Sequence, residues 1–262
     1  MKSYRNLFAA NQKAVLIPFF VLGDPDAETS LELIKTAIDA GADALELGIP
    51  FSDPIADGST IQRGNIRALE NTMTCTLAFE LIAQIKAHAD IPIGLLMYYN
   101  LIIKYGVEAF YQAAAQAGVN SVLVADLCID DADELTGVVE KNGMESVYMV
   151  TPNTTTQRQE RIAQLCTGFI YTVSLLGVTG ARGQLSELVS PLIQSLKALT
   201  KVPVCVGFGV SKPTHAAQLA GAGADGVIVG SAILDIIEKR LDEPELAKSQ
   251  LSAYIKEMKA AL

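Results

Sequence analysis

Short apolar runs alternate with amphipathic helical stretches along the whole chain. The apolar runs predict buried strands near Val15–Phe20, Ala44–Ile49, Ile93–Tyr98, Ser121–Asp126, Ser146–Val150, Phe169–Ser174, Pro203–Gly207 and Gly226–Gly230. Apolar residues spaced three and four apart predict helices near Glu28–Ala40, Ile61–Leu69, Thr76–Ala89, Val107–Ala117, Asp131–Lys141, Thr156–Cys166, Ser186–Leu199, Lys212–Ala222, Ala232–Arg240 and Pro244–Ala261. Uninterrupted β-α alternation implies parallel strands. With no Pro/Gly/Ser-rich linker, it predicts one α/β domain over residues 1–262, a (β/α)₈ TIM barrel with extra helices.

An internal repeat isolates one acidic residue. A helix end, a Gly and a buried strand recur without gaps in three segments, Ala40–Ile49, Ala117–Asp126 and Ala222–Ser231. Glu46 occupies the position that holds Leu123 and Ile228 in the other two copies. A carboxylate in a core position is costly, so Glu46 is either a functional group or a core acid satisfied in an ion pair.

The strand that carries Glu46 leads into an acidic loop. Pro50 stops the chain from continuing as a central strand, and Asp53, Asp57 and Gly58 follow in an irregular segment. Three carboxylates therefore lie at or beyond the end of one strand.

Charge and composition exclude several classes of protein. The net charge is −9 with no run of Lys or Arg, which argues against nucleic acids and anionic membranes as partners. No apolar run reaches membrane-spanning length, and residues 14–23 lack a signal-peptide cleavage site. The four cysteines are dispersed, which favours reduced thiols and a cytoplasmic location.

Two glycine-bearing turns predict an anion site despite the negative charge. Gly207–Ser211 and Gly230–Ala232 follow the last two predicted strands, and each is predicted to lead directly into a helix. Backbone N–H groups at such turns bind phosphate without a cationic side chain, and barrel enzymes often hold a phosphate there. The polar segment Gly177–Gly183 is read as a lid near these turns, or alternatively as an ordinary surface loop.

The sequence also excludes several kinds of catalytic site. His88 and His215 belong to no His/Cys/Asp cluster, so the sequence predicts no metal site. No Lys lies in a predicted strand, and Lys201 precedes one, so a Schiff-base nucleophile is lacking. Leu22–Pro25 is not a nucleotide-binding glycine motif. The chemistry that is left is acid–base catalysis by carboxylates, acting on a phosphorylated substrate.

Several blocks then carry a resemblance to a known family. They are Pro18–Phe19, Leu22–Pro25, Leu45–Gly58, Thr60–Gln62, Met97–Tyr98 with Asn100, Ser121–Asp126, Gly177–Gly180 and Gly207–Gly209. In order and spacing they resemble the tryptophan synthase alpha chain family over nearly the whole chain. Ser59 and Cys128 stand where that family commonly has Pro.

The resemblance implies a lyase that cleaves indole-3-glycerol phosphate to indole and glyceraldehyde 3-phosphate in tryptophan biosynthesis. It implies that Glu46 is the general acid and base, and that Asp57 accepts the indole N–H and stabilises positive charge on the ring. It also implies that the apolar wall around the indole is formed by Phe19, Leu96, Leu123, Tyr171 and Phe208. The phosphate cradle would be formed by Gly180, Gly209, Gly230 and Ser231. Thr179 would be the lid residue.

The same resemblance implies a partner. The family works with a tryptophan synthase beta chain in an α₂β₂ complex, and only the beta chain carries pyridoxal phosphate. The alpha chain itself is expected to need no cofactor, and the loop with Asp53 is expected at the interface. A stand-alone indole-glycerol-phosphate lyase and a non-catalytic phosphate-binding regulatory barrel are the alternatives.

Overall fold

A ring of parallel strands forms the centre of the computed structural model, which describes residues 3–173 and 189–262. The strands are β1 (Val15–Val21), β2 (Leu45–Gly48), β3 (Ile93–Met97), β4 (Ser121–Val124), β5 (Glu145–Ser146), β6 (Tyr148–Val150), β7 (Ile170–Val173), β8 (Val204–Gly207) and β9 (Gly226–Val229). They are hydrogen-bonded in the order β5-β4-β3-β2-β1-β9-β8-β7-β6. Because β5 and β6 are two pieces of one predicted strand, the wall has eight positions, and the barrel prediction is confirmed.

Helices surround this ring in the described residues. They are α1 (Tyr4–Ala10), α2 (Ala27–Asp39), α3 (Ser59–Glu70), α4 (Cys75–His88), α5 (Tyr99–Tyr105), α6 (Val107–Ala117), α7 (Asp133–Lys141), α8 (Thr156–Leu165), α9 (Val189–Leu199), α10 (Pro213–Gly221), α11 (Ser231–Glu238) and α12 (Pro244–Ala260), with a 3₁₀ turn at Ile129–Asp131. None of these described helices is long and apolar enough to cross a membrane.

Two helices are absent from the sequence prediction. α1 is too short to show a helical period, and it begins where the Ser3 side chain accepts a hydrogen bond from the Asn6 N–H at 3.2 Å. α5 starts directly after β3, and its apolar residues resemble a continuation of that strand. Gly106, at φ +94°, ends it.

α1 closes the amino-terminal end of the barrel. Its first backbone N–H groups, those of Tyr4 and Arg5, donate to the Glu145 carboxylate at 3.0 and 3.3 Å. The buried Tyr4 ring packs edge-on against Phe169, and its hydroxyl reaches over Gly94, where a Cβ would lie 2.6 Å from the hydroxyl oxygen. This end is filled with side chains, so a ligand must enter from the carboxyl ends of the strands.

A cluster of charged side chains joins α3, α11 and the loop that follows β1. Arg67 of α3 forms a two-pronged bond to Asp24, which follows β1, at 2.7 and 2.9 Å. Its third nitrogen reaches Glu238, the last residue of α11, at 3.1 Å. Asp24 packs against Gly64, where a Cβ would lie 2.8 Å from the carboxylate. The cluster therefore fixes α3 and α11 relative to the end of β1.

Candidate active site

Glu46 lies inside the barrel on β2. It pairs in register with Phe19 of β1 and Gly94 of β3, and only 5% of it is exposed. Burial, and after it the negative charge of Glu46, raises the pKa of Tyr171 on β7 across the ring, which agrees with a Glu46 side chain that points inward. In the part of the chain that the structure describes, no cation forms an ion pair with Glu46. The alternative of a core acid satisfied by an ion pair is therefore not supported there.

The electrostatic environment of Glu46 favours the protonated form. Burial, followed by repulsion from Asp57, raises the pKa of Glu46 to about 8. Most of the carboxyl groups at this position therefore carry a proton at neutral pH, which a general acid requires.

Asp57 approaches the same space from the loop between β2 and α3. The loop is held by two side chains of α3: Asn65 accepts from the Phe51 N–H at 2.9 Å, and Gln62 donates to the Asp57 carbonyl at 2.9 Å. Asp57 is 3% exposed. Burial raises its pKa to about 6, and a hydrogen bond from the Tyr98 hydroxyl opposes that rise. Asp57 is thus mostly ionised at neutral pH, unlike Glu46.

Tyr98 is a site residue to which the sequence analysis assigned no role. Its hydroxyl accepts from the Ala56 N–H at 3.0 Å and hydrogen-bonds to Asp57, and its ring stacks on Phe51 at 5.2 Å. It anchors the Asp57 loop to the end of β3. The sequence could have indicated this role, because Tyr98 is the last residue of a predicted strand, at the end of the barrel where functional side chains lie.

The predicted apolar residues do lie around the two carboxylates. Leu96 and Leu123 are paired in register and share the inward face with Glu46, and Tyr171 packs edge-on against Phe208 at 6.0 Å. The Phe19 ring lies over Gly48 and Gly230, since a Cβ at either position would come 3.0 Å from a ring carbon. The open end of the barrel therefore presents an aromatic and aliphatic surface.

The glycine turns lie next to that surface. Gly230 immediately precedes Ser231, the first residue of α11, as predicted. The other turn, Gly207–Ser211, is followed by the N-cap residue Lys212 and by α10, which begins at Pro213. Within this turn Phe208 and Gly209 both have left-handed φ, at +62° and +73°, and turn the chain at the end of β8. Thr179, Gly180 and the lid segment lie outside the described residues.

The histidines and Lys201 are not among the groups that act on Glu46 or Asp57 in the described residues. His88 pairs with Asp39 at 2.8 Å on the outside, and the buried His215 accepts from the Ser211 N–H at 3.4 Å. Lys201 precedes β8, at the amino-terminal end of that strand. Within residues 3–173 and 189–262, no group of three His, Cys, Asp or Glu side chains could hold a metal ion.

A comparison with known proteins decides the family. Residues 6–262 match the sequence model of the family described as tryptophan synthase alpha chain. This chain belongs to the tryptophan synthase alpha chain family. A family member from Methanothermobacter thermautotrophicus is 48% identical over 259 residues, which cover 99% of this chain and 96% of the relative. A family member from Photobacterium profundum is 43% identical over 265 residues, which cover 100% of this chain and 98% of the relative.

Solved structures of this family share the fold. The tryptophan synthase complex from Pyrococcus furiosus contains a chain that is 38% identical, with a TM-score of 0.87 over 95% of this chain and 98% of that one. A second structure from that organism, of the α₂β₂ complex, is 40% identical with a TM-score of 0.88 over the same shares. The family resemblance inferred from the motifs is therefore confirmed.

Proposed function

We propose that this chain is a carbon–carbon lyase that cleaves indole-3-glycerol phosphate to indole and glyceraldehyde 3-phosphate. The observation that carries the proposal is a pair of buried carboxyl groups among apolar side chains at the open end of the barrel, where burial raises the pKa of Glu46 to about 8 and that of Asp57 to about 6. Two acids that are held in different protonation states can perform different steps of one reaction. Family membership supports the same assignment.

Glu46 supplies and recovers one proton. The protonated carboxyl group donates to the indole carbon that bears the glycerol chain, and the ring becomes positively charged. The bond from that carbon to the side chain then breaks, and its electron pair returns to the ring. The adjacent hydroxyl becomes the aldehyde carbonyl as its proton passes to the Glu46 carboxylate, so the enzyme ends in its starting state.

Asp57 stabilises the charged intermediate. As an ionised carboxylate it accepts the indole N–H, and it lowers the energy of the positive ring that forms when Glu46 donates its proton. Its burial strengthens this interaction, because few waters remain to screen it. Phe19, Leu96, Leu123, Tyr171 and Phe208 form the walls on which the ring packs.

Tyr98→Phe is expected to move the pH dependence of the reaction. The variant removes the hydrogen bond that opposes the raised pKa of Asp57, so that pKa rises above about 6. The acidic limb of the kcat/KM profile should move upward by roughly one pH unit, since a hydrogen bond to a charged group contributes about 1.5–3 kcal/mol. Tyr99→Phe, which removes an exposed contact to Glu134, is the matched control. An unshifted limb in Tyr98→Phe would remove Tyr98 from the site.

We further propose that the phosphate binds between the two glycine turns. Backbone N–H groups around Gly209 and at the start of α11, at Gly230 and Ser231, are the donors, and Gly180 and Thr179 are assigned to the same cradle and its lid. This arrangement attracts an anion locally through the helix start, although the whole protein is negative.

Gly209→Asp tests this placement. The added carboxylate should weaken binding of glyceraldehyde 3-phosphate by at least about tenfold, because two like charges a few ångströms apart repel strongly in a partly buried site. Gly209→Asn is the matched control, since it has the same shape and the same left-handed backbone but no charge. Calorimetric titration should show the larger loss in the Asp variant. Equal affinities in the two variants would place the phosphate elsewhere.

The proposal includes the assembly. We infer that this chain works in the cytoplasm with a tryptophan synthase beta chain in an α₂β₂ complex, as the Pyrococcus furiosus structure of that complex suggests. The cleavage described above moves only protons and electron pairs between substrate and carboxylates, so the alpha chain needs no cofactor. Pyridoxal phosphate is assigned to the beta chain alone.

The test of the function is indole release from indole-3-glycerol phosphate by the purified chain, with and without a beta chain. Weak turnover that rises sharply with the partner is the expected result. Full turnover without any association in a native-mass measurement would favour a stand-alone lyase. Absence of turnover in both conditions, with the substrate still bound, would contradict the proposed activity.

A further inference from the structure

The barrel wall is interrupted next to the proposed indole pocket. β4 pairs with β5 only at Ser121–Val122, and β6 pairs with β7. Among the described strands, β6 has no ladder with β4. The pairing with β4 ends at Ser146, whose carbonyl accepts the N–H groups of Thr167 and Gly168 on the side of β7. The ends of β4 and β6 therefore face each other without backbone pairing.

A cavity of about 60 Å³ lies at this interruption. From the wall it is lined by Leu123, Val124 and Met149, and from the helical layer by Tyr111, Leu135 and Val139. A cavity needs roughly 10–15 Å³ to hold one water, and a water also needs polar partners. The volume is enough for a small substituent, and the mostly aliphatic lining favours an apolar one.

The cavity shares Leu123 with the proposed indole pocket, and Met149 is the register partner of Tyr171, another proposed wall residue. Leu123 pairs in register with Leu96, and Met149 pairs with Tyr171. Paired residues of parallel neighbours point to the same face of a sheet, so Leu123 and Met149 face the barrel interior. Val124, by contrast, faces the helices. The cavity therefore lies behind the interruption, between the wall and helices α6 and α7, and Leu123 separates it from the proposed indole pocket.

We propose that this cavity is a specificity subsite that accepts a small apolar substituent, such as a methyl group or a halogen, on the benzene ring of the indole. This inference rests on the proposed function, because it takes the apolar walls as the place of the ring. A substituent directed at the interruption enters a preformed apolar space. One directed at an intact part of the wall meets close-packed side chains, which do not yield without cost.

The experiment compares indole-3-glycerol phosphates that carry one methyl group at each benzene-ring carbon in turn. At one ring position, or two adjacent ones, the methyl group should lower KM about fourfold relative to the unsubstituted substrate, as burial of one methyl group predicts. At the other positions KM should rise. A rise at every position would overturn the proposal.

Three variants of the helical layer locate the effect. Ala132 lines the cavity, so Ala132→Leu should fill it and abolish the advantage of the favoured methylated substrate. Val139→Ala should enlarge it and extend the advantage to an ethyl group. Val138→Ala is the matched control, because Val138 is equally buried on α7 but does not line the cavity. The readout is the ratio of KM values for substituted and unsubstituted substrates, which a general loss of stability does not change.

The outcomes separate the subsite from the function. Turnover of the unsubstituted substrate tests the function, and the KM ratio tests the subsite. If no substrate is cleaved, calorimetric binding of methylindoles against indole supplies the same ratio. The proposal is overturned if the ratio is unchanged in both Ala132→Leu and Val139→Ala. It is likewise overturned if Val138→Ala changes the ratio as much as Val139→Ala does.

Discussion

Replacing Glu46 with Gln should lower kcat by about 10²–10⁴-fold while making the protein more stable above neutral pH. The first effect follows because the amide can neither donate a proton to the indole carbon nor recover one from the hydroxyl. The second follows because the folded protein holds the Glu46 carboxyl in a place that disfavours its charge. Loss of activity with gain of stability excludes misfolding as the cause.

The sign of the stability effect depends on the raised pKa. The folded state binds the Glu46 proton up to about pH 8, whereas the unfolded chain releases it near 4.5. Between these values the unfolded state carries fewer protons, so wild-type stability falls as pH rises. Gln resembles the protonated form, so its advantage should be absent near pH 4, grow above that, reach about 4 kcal/mol near pH 8 and level off at about 5 kcal/mol above it, at about 1.4 kcal/mol per pKa unit.

Denaturant unfolding of both proteins between pH 5 and pH 9, beside turnover assays with the beta chain, measures the two effects. Glu108→Gln is the matched control, because Glu108 is exposed and pairs with Lys141 on the outside. It should leave turnover unchanged. Full turnover in Glu46→Gln would revive the reading of a non-catalytic barrel. A stability difference that does not vary with pH would mean that Glu46 is not held in its neutral form.

Arg67→Met is expected to cost about 3 kcal/mol of stability at pH 8, because it leaves a buried carboxylate without its partner. Asp24 is only 1% exposed in its side chain, and Arg67 supplies both hydrogen bonds that satisfy it. Burial already raises the pKa of Asp24, and Arg67 opposes that rise. Without Arg67 the pKa rises further. The loss should therefore shrink as the pH falls and Asp24 takes up a proton.

The double variant Asp24→Asn, Arg67→Met separates the buried charge from lost packing. It should regain most of the stability at pH 8, because no ionised group then remains buried. Arg158→Met is the matched control, since Arg158 and Asp130 form an ion pair that is half exposed, and its melting temperature should stay near that of the wild type. A loss equal in Arg67→Met and Arg158→Met, measured by thermal unfolding, would mean that the cluster contributes no more than a surface pair.

The cluster also bears on the site. α3 begins directly after the Asp57 loop, α11 begins at Ser231, and the loop with Asp24 leaves the strand that carries Phe19. Arg67 thus connects three of the elements that position the proposed substrate groups. An increase in KM of the Arg67→Met variant, measured well below its melting temperature, is the corresponding expectation for catalysis.

Much of the fold and part of the site were predictable because their signals are local. Short apolar runs, helical spacing of apolar residues and Gly at helix ends are properties of neighbouring residues, and their alternation along the chain predicted the barrel. The same alignment singled out Glu46, since an acid stands where two other copies have aliphatic residues. The motif around Asp57 and the turn at Gly230 are equally local, and the structure brings both to the same end of the barrel as Glu46.

The features that the sequence did not show depend on contacts between distant residues. The Tyr98 hydroxyl meets the Asp57 loop across 41 positions of the chain, and Arg67 joins Asp24 to Glu238. The interruption between β4 and β6, and the cavity beside it, arise from strand register, which no single segment contains. The pKa values of Glu46 and Asp57 likewise follow from burial by many elements. The sequence by itself determined most of the elements and the candidate carboxylates Glu46 and Asp57, because those depend on short-range patterns. Only the tertiary structure decided which of these residues meet and how far burial shifts their protonation, because both depend on packing across the barrel.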